Sequence, residues 1–217
     1  MPPRHGAASD LVNGYLPTTG LGGASVTLNG KAACLNYVSP TQIHAQASAD
    51  SAIGTVTATV TTSAGVSSAS VPQRAVMPDP LTGSNYVLAV RAGDGLLIDG
   101  TGAAVPSFTT AAAARPGDIL EIFATGPGAT ATPVAPGLVF SGAYSTTSTP
   151  EVTIGGTAAP GSYCGLIGAG WYQINLTVPG GLSAGTYCVV VTQTEVSSPT
   201  TATQKVAANQ TERPNST

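Results

Sequence analysis

Apolar and polar positions alternate with a period of two wherever this chain shows a clear pattern. In residues 171–178, WYQINLTV, Tyr172, Ile174, Leu176 and Val178 point one way while Gln173, Asn175 and Thr177 point the other. That alternation marks a half-buried β-strand. Pro179-Gly180-Gly181 and Ala184-Gly185 break the chain, and a second strand begins at Tyr187. Earlier, Val26 and Leu28 alternate in residues 24–29, and residues 32–38 and 42–47 follow as strands. Residues 54–62, GTVTATVTT, put Val56, Ala58 and Val60 on the inner face and the threonines outside; residues 66–76 complete the group. In residues 115–126, Leu120, Ile122 and Ala124 form one face and Ile119, Glu121 and Phe123 the other. No helical period competes: the alanine run at 111–114 is too short and meets Pro116.

The pattern occurs twice. EVTIGG at 151–156 answers ASVTLNG at 24–30, and residues 158–166 answer the strand at 32–38. Gln173-Ile174 answers Gln42-Ile43, Gly185-Thr186 answers Gly54-Thr55, and Val196-Ser197-Ser198 answers Val66-Ser67-Ser68. The offset runs from 126 (Val26 to Val152) to 131 (Gly54 to Gly185), which indicates a tandem duplication. Short strands punctuated by turns indicate β-sandwiches. The expected fold is all-β, with two tandem immunoglobulin-like β-sandwich domains at 15–80 and 110–208. Residues 1–14 form an N-terminal segment, 81–109 a linking hairpin around the turns Gly93-Asp94-Gly95 and Asp99-Gly100, and 209–217 a tail. The strand at 115–126 has no equivalent before Ala24, so the first domain lacks its opening strand.

Composition narrows the classes of partner. Charged residues make up 8% of the 217, the formal net charge is −3, and seven Lys+Arg form no cluster. No nucleic-acid partner is expected of such a surface. No 18-residue apolar run offers a membrane span. The start, Met1-Pro-Pro-Arg-His5, has no apolar segment of a signal peptide behind it. A weakly charged Thr/Ser surface nevertheless suits an extracellular or assembled protein better than a free cytosolic one.

Candidate chemistry is sparse. Cys164 and Cys188 each fall in an expected strand of the same half, so a disulfide across neighbouring strands is expected between them. Cys34 is left either as a buried thiol or as one end of an intermolecular bridge. The two histidines, His5 in an irregular tail and His44 on an outward strand face, lack the nucleophile and carboxylate of a hydrolase triad. Asp94-Gly95 and Asp99-Gly100 read as turn formers, because the calcium-loop pattern is missing. Gly126-Pro127-Gly128 and the glycines of 165–170 are not phosphate loops. Trp171 reads as cover for the end of a core. Lys31 and Lys205 are the only lysines on which a lysine–asparagine isopeptide cross-link could form, given a buried carboxylate beside one. No enzyme activity, cofactor or metal is expected.

Several blocks resemble a known repeat: LPTTGLGGASVTLNGKAACLNYVSPTQIHAQ (16–46), ARPGDILEIFATGPGATATPVAPG (114–137), VTIGG (152–156) and GWYQINLTVPGGLSAGTYCVVV (170–191). They resemble the uncharacterised C-terminal domain family of large extracellular proteins of Acidobacteria, related in fold to the IPT/TIG immunoglobulin-like domains. The resemblance covers most of 16–207. It implies a bacterial, extracellular, structural or adhesive β-module and carries no catalytic residues. Two departures stand out: the opening Pro-Gly-strand block is missing from the first domain, and His44 replaces the usual asparagine that Asn175 supplies in the second.

A sandwich without its first strand leaves an open sheet edge. Residues 1–14 can fill it, or a strand from another chain can. The expectation is a non-enzymatic subunit of a pilus-like surface filament. A terminal strand from 1–14 or 200–217 of one copy would complete the first domain of the next, giving a homopolymer. The alternative is a monomeric adhesive or stalk module of a larger secreted protein, binding a cell-surface or matrix ligand.

Overall fold

The structure, a computed structural model, describes residues 3–98 and 111–208. Those residues are all-β apart from two short 3-10 turns, Ala8–Asp10 and Leu21–Gly23. They divide into two compact units. Unit 1 is drawn from Met1–Ala75, Thr132–Ala143 and Ile167–Gly170; unit 2 from Val76–Ala131, Tyr144–Leu166 and Trp171–Thr217. Each unit contains two sheets in a tandem sandwich arrangement, and neither closes into a barrel. The expected turn at Asp99-Gly100 and the tail at 209–217 lie outside the described residues.

Unit 1 carries β1 (Arg4–His5), β2 (Ser25–Leu28), β3 (Lys31–Ala32), β4 (Cys34–Val38), β5 (Ile43–Gln46), β6 (Gly54–Thr62) and β7 (Gly65–Gln73). Its sheets run β1-β4-β5 and β3-β2-β6-β7. Unit 2 begins with β8 (Asp79–Pro80), β9 (Thr82–Gly83), β10 (Tyr86–Val87), β11 (Ala89–Arg91), β12 (Leu97–Ile98), β13 (Ala111–Ala112) and β14 (Ile119–Thr125). It continues with β15 (Tyr144–Ser145), β16 (Glu151–Ile154), β17 (Thr157–Ala158), β18 (Gly161–Gly168), β19 (Trp171–Thr177), β20 (Gly185–Gln193), β21 (Val196–Ser197) and β22 (Thr203–Val206). One sheet follows the order β17-β16-β20-β22-β10-β9, with β21 on β20; the other follows β13-β12-β11-β14-β19-β18-β15, with β8 on β14. The segment expected to link the domains therefore adds strands to unit 2: β11 and β12 form a hairpin, and β11 pairs with β14.

The duplication extends to the pairing register. Val26 lies opposite Val60 and Leu28 opposite Ala58; their counterparts Val152 and Ile154 lie opposite Val191 and Val189. Thr27 faces Ala32 as Thr153 faces Ala158. The tight turns between these strands use two successive positive φ values, at Asn29-Gly30 in unit 1 and Gly155-Gly156 in unit 2. That geometry matches the right-handed twist of the flanking strands and favours asparagine and glycine. Thr61 and Thr62 pair with Val66 and Gly65, and Thr192 and Gln193 pair with Ser197 and Val196. Beyond this point β7 runs on unbroken. In unit 2 the chain is interrupted at 198–202 before β22 resumes the pairing with β20.

The cores are unequal. In unit 2, Leu120, Ile122 and Ala124 of β14, Ile174 and Leu176 of β19, and Val152, Ile154, Val189 and Val191 of the opposite sheet pack into one large buried cluster. In unit 1 the buried cluster is Leu21, Ala24, Val26, Ala33, Leu35 and Val38, with Ile43 and Val60 only partly buried against it. Val191, the counterpart of Val60, is fully buried. Burying such a side chain completely is worth about 1.5–3 kcal/mol, so unit 1 draws far less stability from its core than unit 2.

Candidate functional site

The residues singled out for chemistry are dispersed. Cys164 and Cys188 are free thiols rather than the expected disulfide. Cys164 is buried in the core from β18, whereas Cys188 is exposed on β20, in the other sheet. Alternation on β20 sends Val189 and Val191 inward and Cys188 outward, so its thiol points away from Cys164. Strand period, not sequence proximity, decides which cysteines meet. Burial pushes the Cys164 thiol up, with the Thr146 hydroxyl acting against it, and burial likewise raises Cys34. Both are therefore weak nucleophiles at neutral pH.

Asp94 sits in the turn between β11 and β12, where Arg91 pairs with it and the Leu96 amide donates to it at 3.1 Å. Those bonds hold its carboxyl below the ordinary range, with the Arg91 hydrogen bond as the main cause. Among the described residues no group of three or more His, Cys, Asp or Glu stands together in a way that would hold a metal. Nor is any helix there long and apolar enough to cross a membrane. Trp171 is 39% exposed at the start of β19. Gly126 has a positive φ, and the Met77 backbone occupies the space a Cβ would need, so the position takes glycine for its conformation and its packing rather than for a phosphate.

Lys31 has a carboxylate neighbour that the sequence did not indicate. Asp50 accepts from Lys31 Nζ at 3.1 Å, from Asn29 Nδ2 at 2.9 Å and from the Ala52 amide at 3.1 Å. These contacts, the Asn29 hydrogen bond first, hold the Asp50 carboxyl well below the usual range. Amide cross-linking needs a neutral amine beside a protonated carboxyl in an apolar pocket. Here Asp50 is held as an ionised carboxylate and the Lys31 side chain is half-exposed, so neither condition is met. The cluster is an ion pair pinning the β2–β3 turn.

The two histidines meet through a tyrosine. Tyr37 lies opposite both His5 on β1 and His44 on β5, with ring centroids 4.6 and 5.0 Å apart. This three-strand ladder ties the N-terminal segment to β4. Tyr37 and His44 meet across neighbouring strands, but no local spacing announced His5, which comes from the N-terminal segment. On the same face of β4, Cys34 borders a cavity of about 420 Å³ lined by Val12, Tyr15, Leu16, Pro17 and Pro136. Gly137 approaches Cys34 so closely that a Cβ there would overlap the sulfur.

The most distinctive feature is the edge of β5. In unit 2 its counterpart β19 is flanked by β14 along six residue pairs, from Ile119 opposite Thr177 to Ala124 opposite Tyr172. Among the described residues β5 pairs with β4 alone. The described part of the N-terminal segment does not lie along this edge. β1 pairs with β4, at the position where β15 pairs with β18. Ala45 and Ile43 share the inner face of β5 with their β4 partners Leu35 and Val38, which are fully buried. Ala45 is nevertheless exposed and Ile43 only half-buried, while their counterparts Leu176 and Ile174 are 1% and 0% exposed. No family model, no curated protein and no solved structure matches this chain.

Proposed function

We propose that this chain is a non-enzymatic, extracellular structural protein. Both units are immunoglobulin-like, the first lacks its opening strand, and copies join head to tail by β-strand addition into a surface filament. The observation that carries this reading is the exposed inner face of β5 beside an edge that no described strand flanks, in a fold whose second copy covers the same place. An open edge with apolar inner positions is a template for another strand. The contact is heterologous, so it propagates into an open fibre unless rotation closes a ring. The extracellular setting rests on the family resemblance and on the weakly charged Thr/Ser surface.

One observation favours the alternative, a monomeric adhesive or stalk module. β22 lies between β20 and β10 inside a sheet, so that part of the C-terminal region is already used within its own chain. Light scattering coupled to size exclusion, with negative-stain imaging, separates the two readings. Concentration-dependent oligomers or fibres are expected; a stable 21.3 kDa monomer over the whole concentration range overturns the filament.

A further inference from the structure

The internal duplication supplies more than the observation that no described strand flanks β5. It shows what fills the equivalent place, residue by residue. β14 runs antiparallel to β19 with Leu120 opposite Leu176, Ile122 opposite Ile174 and Ala124 opposite Tyr172. All three β14 side chains point inward and are buried. The offset of 131 carries Leu176, Ile174 and Tyr172 onto Ala45, Ile43 and Thr41.

From this transposition we propose that the β5 edge is a docking site for one kind of partner. The occupant is an extended polypeptide strand supplied in trans, antiparallel to β5, with inward side chains in the order large aliphatic, large aliphatic, small. The first large side chain covers Ala45, the second covers Ile43, and the small one lies opposite Thr41. Alanine at 45, where unit 2 has leucine, leaves extra room under the first side chain. The outward positions of the occupant are free to be polar, as Glu121 is in β14.

Three features of the molecule bear on this assignment. The N-terminal segment is engaged on the far side of β4 through Arg4 opposite Val38 and His5 opposite Tyr37. The His5–Tyr37 contact holds it against β4, and the Arg4–Asp10 ion pair closes the segment on itself. A second copy's β14 has the right pattern but is held between β11 and β19, so donating it would dismantle unit 2. Finally, β5 carries no Lys, Arg, Asp, Glu or proline, residues that blunt a sheet edge.

The inference rests on the strand-addition reading, and its test separates the two. The probe is a synthetic peptide of residues 117–126, GDILEIFATG, titrated into the intact chain. Amide exchange and amide NMR shifts report the site. Saturable binding is expected, with slowed exchange confined to β5 and the facing residues of β6. A peptide carrying Leu120→Asp and Ile122→Asp should not bind. Ala45→Lys puts a charge under the first apolar side chain at a position already exposed, so the variant should fold and bind the wild-type peptide roughly tenfold or more weakly. No slowed exchange at β5, or equal binding by the aspartate peptide, overturns the docking site. Peptide accepted at β5 by a chain that stays monomeric sinks the filament and keeps the site. Fibres that form equally well with Ala45→Lys, from a chain that refuses the peptide, do the reverse.

Discussion

Ile43 and Ile174 are the same residue at the same place in two copies of one design, yet only one of them is buried. Both lie on an inward strand face opposite a paired neighbour. Ile174 has β14 on its other side and is sealed in a core shared by two sheets. Ile43 has no described strand on that side and stays half-exposed. Local sequence therefore set the direction of the side chain, and a strand remote in sequence set its burial. The two units differ at one place: a described strand flanks β19 on the side where none flanks β5.

Truncating the two isoleucines gives the largest expected contrast. Ile174→Ala opens a void in a filled core and should cost about 3–4 kcal/mol. Ile43→Ala removes a side chain that water already reaches and should cost about 1 kcal/mol or less. Trp171 fluorescence during urea unfolding follows unit 2, and exchange of the β4 amides follows unit 1. Equal losses at the two sites would mean that Ile43 is sealed in solution and that the open edge is filled.

Much of this architecture is written locally. Alternation in 54–62 and 119–125 reproduces β6 and β14 with their inner faces, and the repeat offset maps the register of β2 with β6 onto that of β16 with β20. What the chain does not reveal locally are contacts closed by distant segments. The sequence leaves residues 1–14 able to fill the open edge of the first sheet, whereas three-dimensional packing places β1 beside β4. Residues 132–143 look like a loop of the second half but pack in unit 1, where the Gly137 amide donates to Gln46 Oε1 at 2.8 Å. Cys164 and Cys188 shared a half and a strand pattern, yet the face of each strand was the deciding variable. Asp50 lies 19 residues beyond Lys31, with nothing in between to connect them.

The matching turns sharpen the comparison at a finer scale. Asn29 and Gly155 occupy the same left-handed position, with φ of 51° and 60°. Either residue tolerates that backbone. The surroundings differ: a Cβ on Gly155 would come within 2.5 Å of Cδ1 of Tyr187, whereas the offset puts the smaller Val56 at that place in unit 1. Gly155→Asn should therefore displace the Tyr187 ring and cost about 1–2 kcal/mol. Asn29→Gly should cost only a few tenths of that scale, chiefly by losing the bond to Asp50. Thermal unfolding of the two variants decides it. Similar losses would show that the Tyr187 ring yields freely and that the turns are interchangeable.

Acid should act on one turn and spare the other. In unit 2, Gly155, Thr157 and Gly181 stand where unit 1 has Asn29, Lys31 and Asp50. Asp50 is held below its ordinary range by Asn29, the Ala52 amide and Lys31, so its folded value lies under its unfolded value near 4. A depressed carboxyl binds fewer protons folded than unfolded. Its contribution is therefore complete above the unfolded value and fades as pH falls toward the folded one. Between neutral pH and about pH 4 the β2–β3 turn should keep its protection. Below that, its amides should exchange progressively faster than those of the β16–β17 turn once intrinsic rates are corrected. Asp50→Asn should remove this extra acid sensitivity and leave the two turns with parallel pH profiles. The effect is small because Lys31 is half-exposed and solvent screens the pair. A β2–β3 turn whose protection tracks that of β16–β17 throughout the acid range would show that Asp50 does not pin it in solution.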